Sequence, residues 1–278
     1  MSKQQTIPLN RDGWNRISAS YQAERRISTD DVHYGPLAPG ERELGLLGSV
    51  AGRTVIEIGC GGGQNAIALA RWGAICTGVD PSQAQLVHAH RLAVEHGVEI
   101  QFANGTAENL TAFPDEAFDI ALSAYAFDYV ADLQQAYAQA WRVLKPGGVF
   151  VFCLSHPWFQ AVGWHLAGEP DAPEVEDYAA WPVAEDWNWS FQDGTTASLR
   201  DHLRPLAQIV NELIEAGFAL EKLVEQNFAD VAGKPDEQLT HLPYLYAIDS
   251  ETREYQIARK LPRTLIIRAR KTMIQAGT

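Results

Sequence analysis

Between residues 53 and 155 short apolar runs alternate with amphipathic stretches, and this alternation restricts the chain to one class of fold. Arg53–Ile58 (RTVIEI) reads as a buried strand and Gly59–Gly63 as a tight glycine loop. Gln64–Trp72 reads as a helix carrying Ala66, Ile67, Ala70 and Trp72 as its apolar positions. Ala74–Val79, Ile100–Ala103, Phe118–Ser123 and Val149–Leu154 read as four more strands, with helices over Ser82–His96 and Leu133–Val143. Strand followed by helix, repeated, is the mark of βαβ units and a parallel sheet. Further on, Leu206–Glu215 reads as a helix ended by Gly217, Phe218–Val224 as a strand, and Leu261–Arg268 as a last strand, antiparallel at the sheet's end. The expected architecture is α/β, with a mostly parallel seven-stranded sheet and helices on both faces.

The texture changes after strand five. His156–His202 holds five of the eight tryptophans (Trp158, Trp164, Trp181, Trp187, Trp189) amid proline, glycine and acidic residues, with weak periodicity. So long a patternless stretch is either functional or disordered, and the tryptophans argue against disorder. The expected organisation is a helical cap over 1–50, a ligand-binding α/β core over 51–155, a lid insertion over 156–205 and the remainder of the sheet over 206–278.

Charge and cysteine usage narrow the setting. A net charge of −13 disfavours a polyanionic partner through long-range repulsion. The basic run Arg259, Lys260, Arg263, Arg268, Arg270 and Lys271 is read as an edge strand's guard and a solvated tail, not a nucleic-acid patch. Cys60, Cys76 and Cys153 sit far apart, without metal-ligand spacing, and read as reduced thiols; no metal is expected. Met1–Arg11 is polar, and no run approaches the roughly 18 apolar residues of a membrane helix. A cytoplasmic protein without a membrane partner is expected, as a monomer or a homodimer.

The strongest chemical signal is Glu57-Ile58-Gly59-Cys60-Gly61-Gly62-Gly63, set between a strand and a helix. Glycines there let backbone approach a ligand closely, and in an open α/β sheet the ligand crevice lies outside the carboxyl ends of the strands. Asp80, at the close of the second strand, is placed to accept both hydroxyls of an adenosine ribose. These features suit a dinucleotide or a sulfonium nucleoside equally. Glu57 leans toward the second, because a pyrophosphate would be repelled where a cationic amino acid is favoured.

The stretches VIEIGCGGGQNAIALARWGA, TGVDPS, NGTAENL followed by FPDEAFDIALSAYAF, and RVLKPGGVFVF together resemble class I S-adenosylmethionine-dependent methyltransferases. The small-molecule branch akin to ubiquinone-biosynthesis enzymes is the most similar, over roughly residues 45–155. The resemblance implies a Rossmann-like methyltransferase fold, S-adenosyl-L-methionine as cofactor, and a role for each matching residue. Gly59, Gly61 and Gly63 would line its methionyl part with Glu57 nearby, and Asp80 would hold the ribose. Thr106, where many relatives have aspartate, and Ala107 would flank the adenine. Ser123 and Ala124 would lie beneath the methionine part and the methyl group, while Pro81 and Ser82 would shape the far wall of the ribose site. Tyr21 would close over the cofactor.

Methyl transfer requires in-line approach in a dry pocket, and a base only where the acceptor is protonated. His156 and His202 are the candidate bases; Tyr129, with Asp128, is the candidate for orienting the acceptor. The tryptophans suggest an aromatic or polycyclic small-molecule acceptor. With Glu176, Asp177, Glu185 and Asp186 nearby they also suit a cationic amine. Two alternatives compete: a nicotinamide-dependent oxidoreductase, and a non-catalytic protein whose cofactor pocket is plugged by Trp158 or Trp189. Nucleic-acid or protein methylation is disfavoured, since Ser123-Ala124-Tyr125-Ala126 is not the Asn/Asp-Pro-Pro-Tyr sequence of many planar-nitrogen enzymes.

Overall fold

Seven strands build the central sheet of the computed structural model, which describes residues 5–168 and 177–273. They are β1 (Thr54–Ile58), β2 (Ile75–Asp80), β3 (Ile100–Asn104), β4 (Phe118–Ala124), β5 (Leu144–Ser155), β6 (Phe218–Gln226) and β7 (Thr264–Lys271). Their spatial order is β3–β2–β1–β4–β5–β7–β6. The pairs among β1–β5 are parallel, and β7 runs antiparallel to both β5 and β6. The chain therefore winds outward from β1 in one direction and from β4 in the other, which opens a crevice at the carboxyl ends of these two strands.

Helices cover both faces, so the central strands are apolar throughout rather than alternating. On one face Ile56, Ile58, Phe150 and Phe152 pack with α-helical residues Tyr137, Ala140, Ile209 and Leu213. On the other Val55, Leu122, Val151 and Cys153 meet Ala66, Leu69 and Leu46. Among the described residues, the α-helices longer than two turns are α1 (Thr6–Glu24), α2 (Gln64–Arg71), α3 (Gln83–Glu95), α4 (Leu133–Val143) and α5 (Leu206–Glu215). Ser82 caps α3, its Oγ accepting the Gln85 amide at 3.2 Å.

Most elements fall where periodicity puts them, with informative shifts. β2 extends one residue further, making Asp80 its last member. β7 begins at Thr264, not Leu261, because Pro262 has no amide to donate to a ladder. The basic run is largely engaged within the fold: Arg268 and Arg270 pair with Glu221, and Lys271 Nζ donates to the Leu144 carbonyl at 2.7 Å. The tryptophan-rich stretch contains an antiparallel hairpin, Val183–Ser190 with Thr196–Leu203. No strand was expected there, because Glu185 and Asp201 interrupt the apolar alternation. α1 lies along this hairpin; a Cβ on Gly13 would stand 2.5 Å from Leu199 Cδ2, so glycine is what permits the approach. Among the described residues, no helix is long and apolar enough to cross a membrane.

Candidate active site

The glycine loop folds back over β2: the Gly59 and Cys60 amides both donate to the Val79 carbonyl, at 2.7 and 3.0 Å. Gly59, Gly61 and Gly63 all have positive φ (73°, 50° and 80°), but they do different work. A Cβ on Gly61 would meet nothing within 4 Å, whereas one on Gly63 would reach Ala89 Cβ at 2.9 Å and the Phe102 ring at 3.0 Å. Gly61 leaves the crevice open to a ligand; Gly63 lets α2 seat against α3 and β3.

Two buried carboxylates flank the loop. Asp80 Oδ2 accepts the Gly61 amide at 2.9 Å and Oδ1 the Ser82 amide at 2.8 Å. Burial outweighs these bonds and pushes its pKa up to about 6. Glu57 Oε2 accepts the Ala66 amide at 3.0 Å, and burial pushes that group up to about 8, with Asp80's charge adding. α1 closes this half from above. Asn15 Oδ1 accepts from Ser82 Oγ at 2.9 Å and from the Ala84 amide at 3.0 Å, and Gln22 bridges Gln85 and Gln64.

A cavity of about 550 Å³ runs from this loop to the inner face of the hairpin. Tyr21, Glu57, Gly59, Gly61, Asp80, Pro81, Thr106, Ala107, Ala124 and Tyr129 all line it. Tyr21 is held in place by its hydroxyl, 2.8 Å from that of Tyr244. At the far end the walls are Asp128, Trp164, Trp187, Asp201, Tyr246 and Arg263. His33 also lines it; burial lowers its pKa to about 4, so it is neutral.

Five expected site residues lie outside the lining, among them Ser82, which is fully buried as the cap of α3. His156 is fully buried, and both ring nitrogens are engaged: Nδ1 accepts the Trp158 amide at 3.1 Å and Nε2 bonds Glu225 at 2.7 Å. It ties β5 to β6 and is no free base. His202 lies beside Leu203 and Arg204, in a separate pocket. Ser123 is fully buried, its Oγ donating to the Ile58 carbonyl at 2.7 Å, so it joins β4 to β1 instead of facing a ligand. Gly63 is the packing glycine described above.

The tryptophans divide as well. Trp164, Trp187 and Trp189 line the cavity, Trp181 belongs to a small core with Ala161 and Leu203, and Trp158 is 52% exposed and stacked on Tyr178. Of the acidic residues expected around them, Glu176 lies outside the described residues, Asp177 is exposed, and Asp186 is paired with Arg200 on the hairpin's outer side. Among the described residues, the carboxylates that line that end are Asp128, Asp201 and, beside Tyr246, Glu254. Trp14, Gln22, Asp201, Tyr244, Tyr246 and Arg263 were not anticipated as wall residues. Trp187 and Trp189, two residues apart, are the remnant of alternation from which the hairpin, and hence Asp201, could have been found.

Residues 56–152 match the family model described as a methyltransferase domain. With the strand order and the glycine loop, this match gives residues 56–152 the fold of a class I methyltransferase domain. Over 104 residues the chain is 36% identical to the ubiquinone biosynthesis O-methyltransferase of Pseudomonas entomophila (strain L48), a match covering 37% of this chain and 45% of that one. The matched region thus spans under half of that relative's length. The fold is shared with an S-adenosylmethionine-dependent methyltransferase from Mesorhizobium loti, at 24% identity and a TM-score of 0.59 over 82% of this chain and 94% of that one. It is shared also with the [4+2]-cyclase SpnF, at 20% identity and a TM-score of 0.58 over 95% and 96% of the two chains.

Proposed function

We propose that the protein transfers a methyl group from S-adenosylmethionine to a small aromatic or polycyclic acceptor in the cytoplasm. The observation that carries this reading is the continuity of one cavity, from the Gly61–Asp80 corner to the aromatic walls of Trp187 and Trp189. The residues fit the cofactor: Gly61 offers room for close backbone approach, and Glu57 and Asp80 are buried carboxylates suited to a cationic amino acid and a diol. Thr106 and Ala107 would flank the adenine, and Ala124 would lie near the methionine part. When bound, the cofactor supplies an electrophilic methyl on a sulfonium.

The chain's own residues then have to orient the acceptor and exclude water, and orientation alone can contribute on the order of 7–11 kcal/mol. Trp14 packs edge-on to both Tyr21 and Tyr129, at 5.2 and 5.7 Å, so the helical cap and the acceptor wall form one rigid aromatic surface. Tyr129, partly buried beside Trp14, is the proposed orienting residue. Neither tryptophan suspected as a plug fills the cavity: Trp158 lies outside its lining, and Trp189 forms part of its wall. The site is covered by α1 and the hairpin, which favours a small acceptor over a macromolecule.

The test is a thermal-shift comparison of S-adenosylmethionine, S-adenosylhomocysteine and NADH. The first two are expected to raise the melting temperature and NADH to leave it unchanged. A shift with NADH alone would replace this reading with an oxidoreductase.

A further inference from the structure

The hairpin's inner face is apolar except at one pair of positions. Val183, Glu185, Trp187 and Trp189 alternate with the exposed Ala184, Asp186, Asn188 and Ser190. The register sets Asp201 opposite Glu185 and Leu199 opposite Trp187, so Asp201 projects from the same face as the Trp187 indole. Both line the cavity. Asp201 Oδ1 is buried and, among the described residues, has no hydrogen-bond partner; the same holds for Trp187 Nε1 and Arg263 Nε. Buried polar atoms without partners are rare in a folded chain, and with His33 Nδ1 there are four on the wall of this cavity; they point to a ligand that brings a donor to Asp201 and an acceptor to the indole and guanidinium N–H groups.

The surrounding charge favours one kind of ligand. Three charged groups act on Asp201: Asp128, Glu185 and Arg263. Arg263 lies over the Phe159 and Trp164 rings, at 4.6 and 4.8 Å from their centroids, and its Nη1 contacts Ser155 Oγ at 3.3 Å. Asp128 already accepts the Ser155 amide at 3.0 Å. One guanidinium thus stands beside two wall carboxylates, and Asp201 is the one with an oxygen to spare. Arg263 already occupies a face of Trp164, and Trp187 offers a further ring face that attracts cations.

We infer that Asp201 recognises the acceptor, and that the acceptor presents to it an amine that is protonated in free solution, carried on an aromatic frame. This deepens the methyl-transfer reading and rests on it. Pairing with the ammonium requires the ionised carboxylate, so a proton carried by Asp201 in the free protein is released to solvent on binding, and the complex holds one proton between the amine nitrogen and Asp201. When that proton crosses to the carboxylate, an N–H bond breaks, its electron pair stays on nitrogen, and an O–H bond forms on Asp201. The amine is then neutral and nucleophilic. Burial, with repulsion from Asp128 added, holds the Asp201 carboxyl well above the usual carboxylate range, which makes it a stronger base than a surface aspartate.

Three probes sharing one ring test this by calorimetry on protein loaded with S-adenosylhomocysteine at neutral pH: tryptamine (cation), tryptophol (neutral) and indole-3-propionate (anion). Tryptamine is expected to bind at least about tenfold tighter than tryptophol, with the anion weakest. Asp201→Asn is expected to erase this ranking without changing affinity for S-adenosylhomocysteine, and Asp201→Glu to restore part of it. Equal affinity for the three, or a preference that survives in Asp201→Asn, overturns the inference. Should the asparagine variant fail to fold, the wild-type ranking still decides. Failure of the wild type to take up S-adenosylhomocysteine defeats the methyl-transfer reading itself, whereas uptake without an amine preference defeats only the role of Asp201.

Discussion

Asn10 pairs with the backbone of Arg200 as though it were a neighbouring strand: its Oδ1 accepts the Arg200 amide at 2.7 Å, and its Nδ2 donates to the Arg200 carbonyl at 2.9 Å. The same Nδ2 lies 3.3 Å from the Tyr129 carbonyl. One side chain of α1 therefore joins the hairpin that carries Asp201 to the turn that carries Tyr129. Asn10→Ala would leave a buried amide and a buried carbonyl without partners, at a cost of about 2–4 kcal/mol in unfolding free energy. Urea unfolding measures the loss, and hydrogen exchange is expected to show faster exchange along 196–203. Unchanged protection there would mean that α1 does not hold the hairpin.

The glycines of the loop separate ligand approach from packing. Gly61→Ala places a methyl in open space at a φ of 50°, so the fold should lose only about 1–2 kcal/mol while affinity for S-adenosylhomocysteine falls sharply. Gly63→Ala adds steric conflict with Ala89 and Phe102 to its left-handed backbone, and should lower stability by a further ~1–3 kcal/mol. Calorimetric binding alongside thermal melts distinguishes the two. Wild-type affinity in Gly61→Ala would remove that residue from the ligand's path.

Glu57 sets a pH dependence. Burial raises it from an ordinary 4.5 to about 8, so between those values the folded protein keeps a proton that the unfolded chain releases. Its contribution to stability is complete below about pH 4.5 and is lost as the pH rises toward 8, and the unliganded melting temperature should fall across that window relative to Glu57→Gln. A cationic ligand favours the ionised form. Cofactor binding near neutral pH should therefore release a proton, detectable as a dependence of binding enthalpy on buffer ionisation heat, and Glu57→Gln should abolish the release. No release from the wild type would place the ligand's positive charge elsewhere.

How much of this could be read from the sequence depended on whether a residue's role follows from local pattern. Ile56, Ile58, Val151 and Cys153 lie in continuous apolar runs because the sheet is covered on both sides, and such runs identify the core strands directly. Asp80 was legible because it closes one of those runs. The differing work of Gly61 and Gly63 was not, since it depends on how near α3 and Phe102 come. His156 and Asp201 show the same limit. Each is a polar residue near the end of a strand, and only the three-dimensional pairing turns His156 toward Glu225 and Asp201 into the cavity. The hairpin was hidden by the very carboxylates that give its inner face a function, because Glu185 and Asp201 break the alternation by which a strand is recognised.

The central claim is that the ligand lies across Gly61 with its sugar held by Asp80. Isothermal titration of S-adenosylhomocysteine into the wild type and Asp80→Ala tests it most directly. The expected result is micromolar binding to the wild type and a loss of roughly 10- to 100-fold in the variant, the scale of hydrogen bonds to a charged acceptor, with the fold retained. Wild-type protein that takes up none of this nucleoside, or Asp80→Ala protein that binds it as tightly as the wild type, would contradict the account.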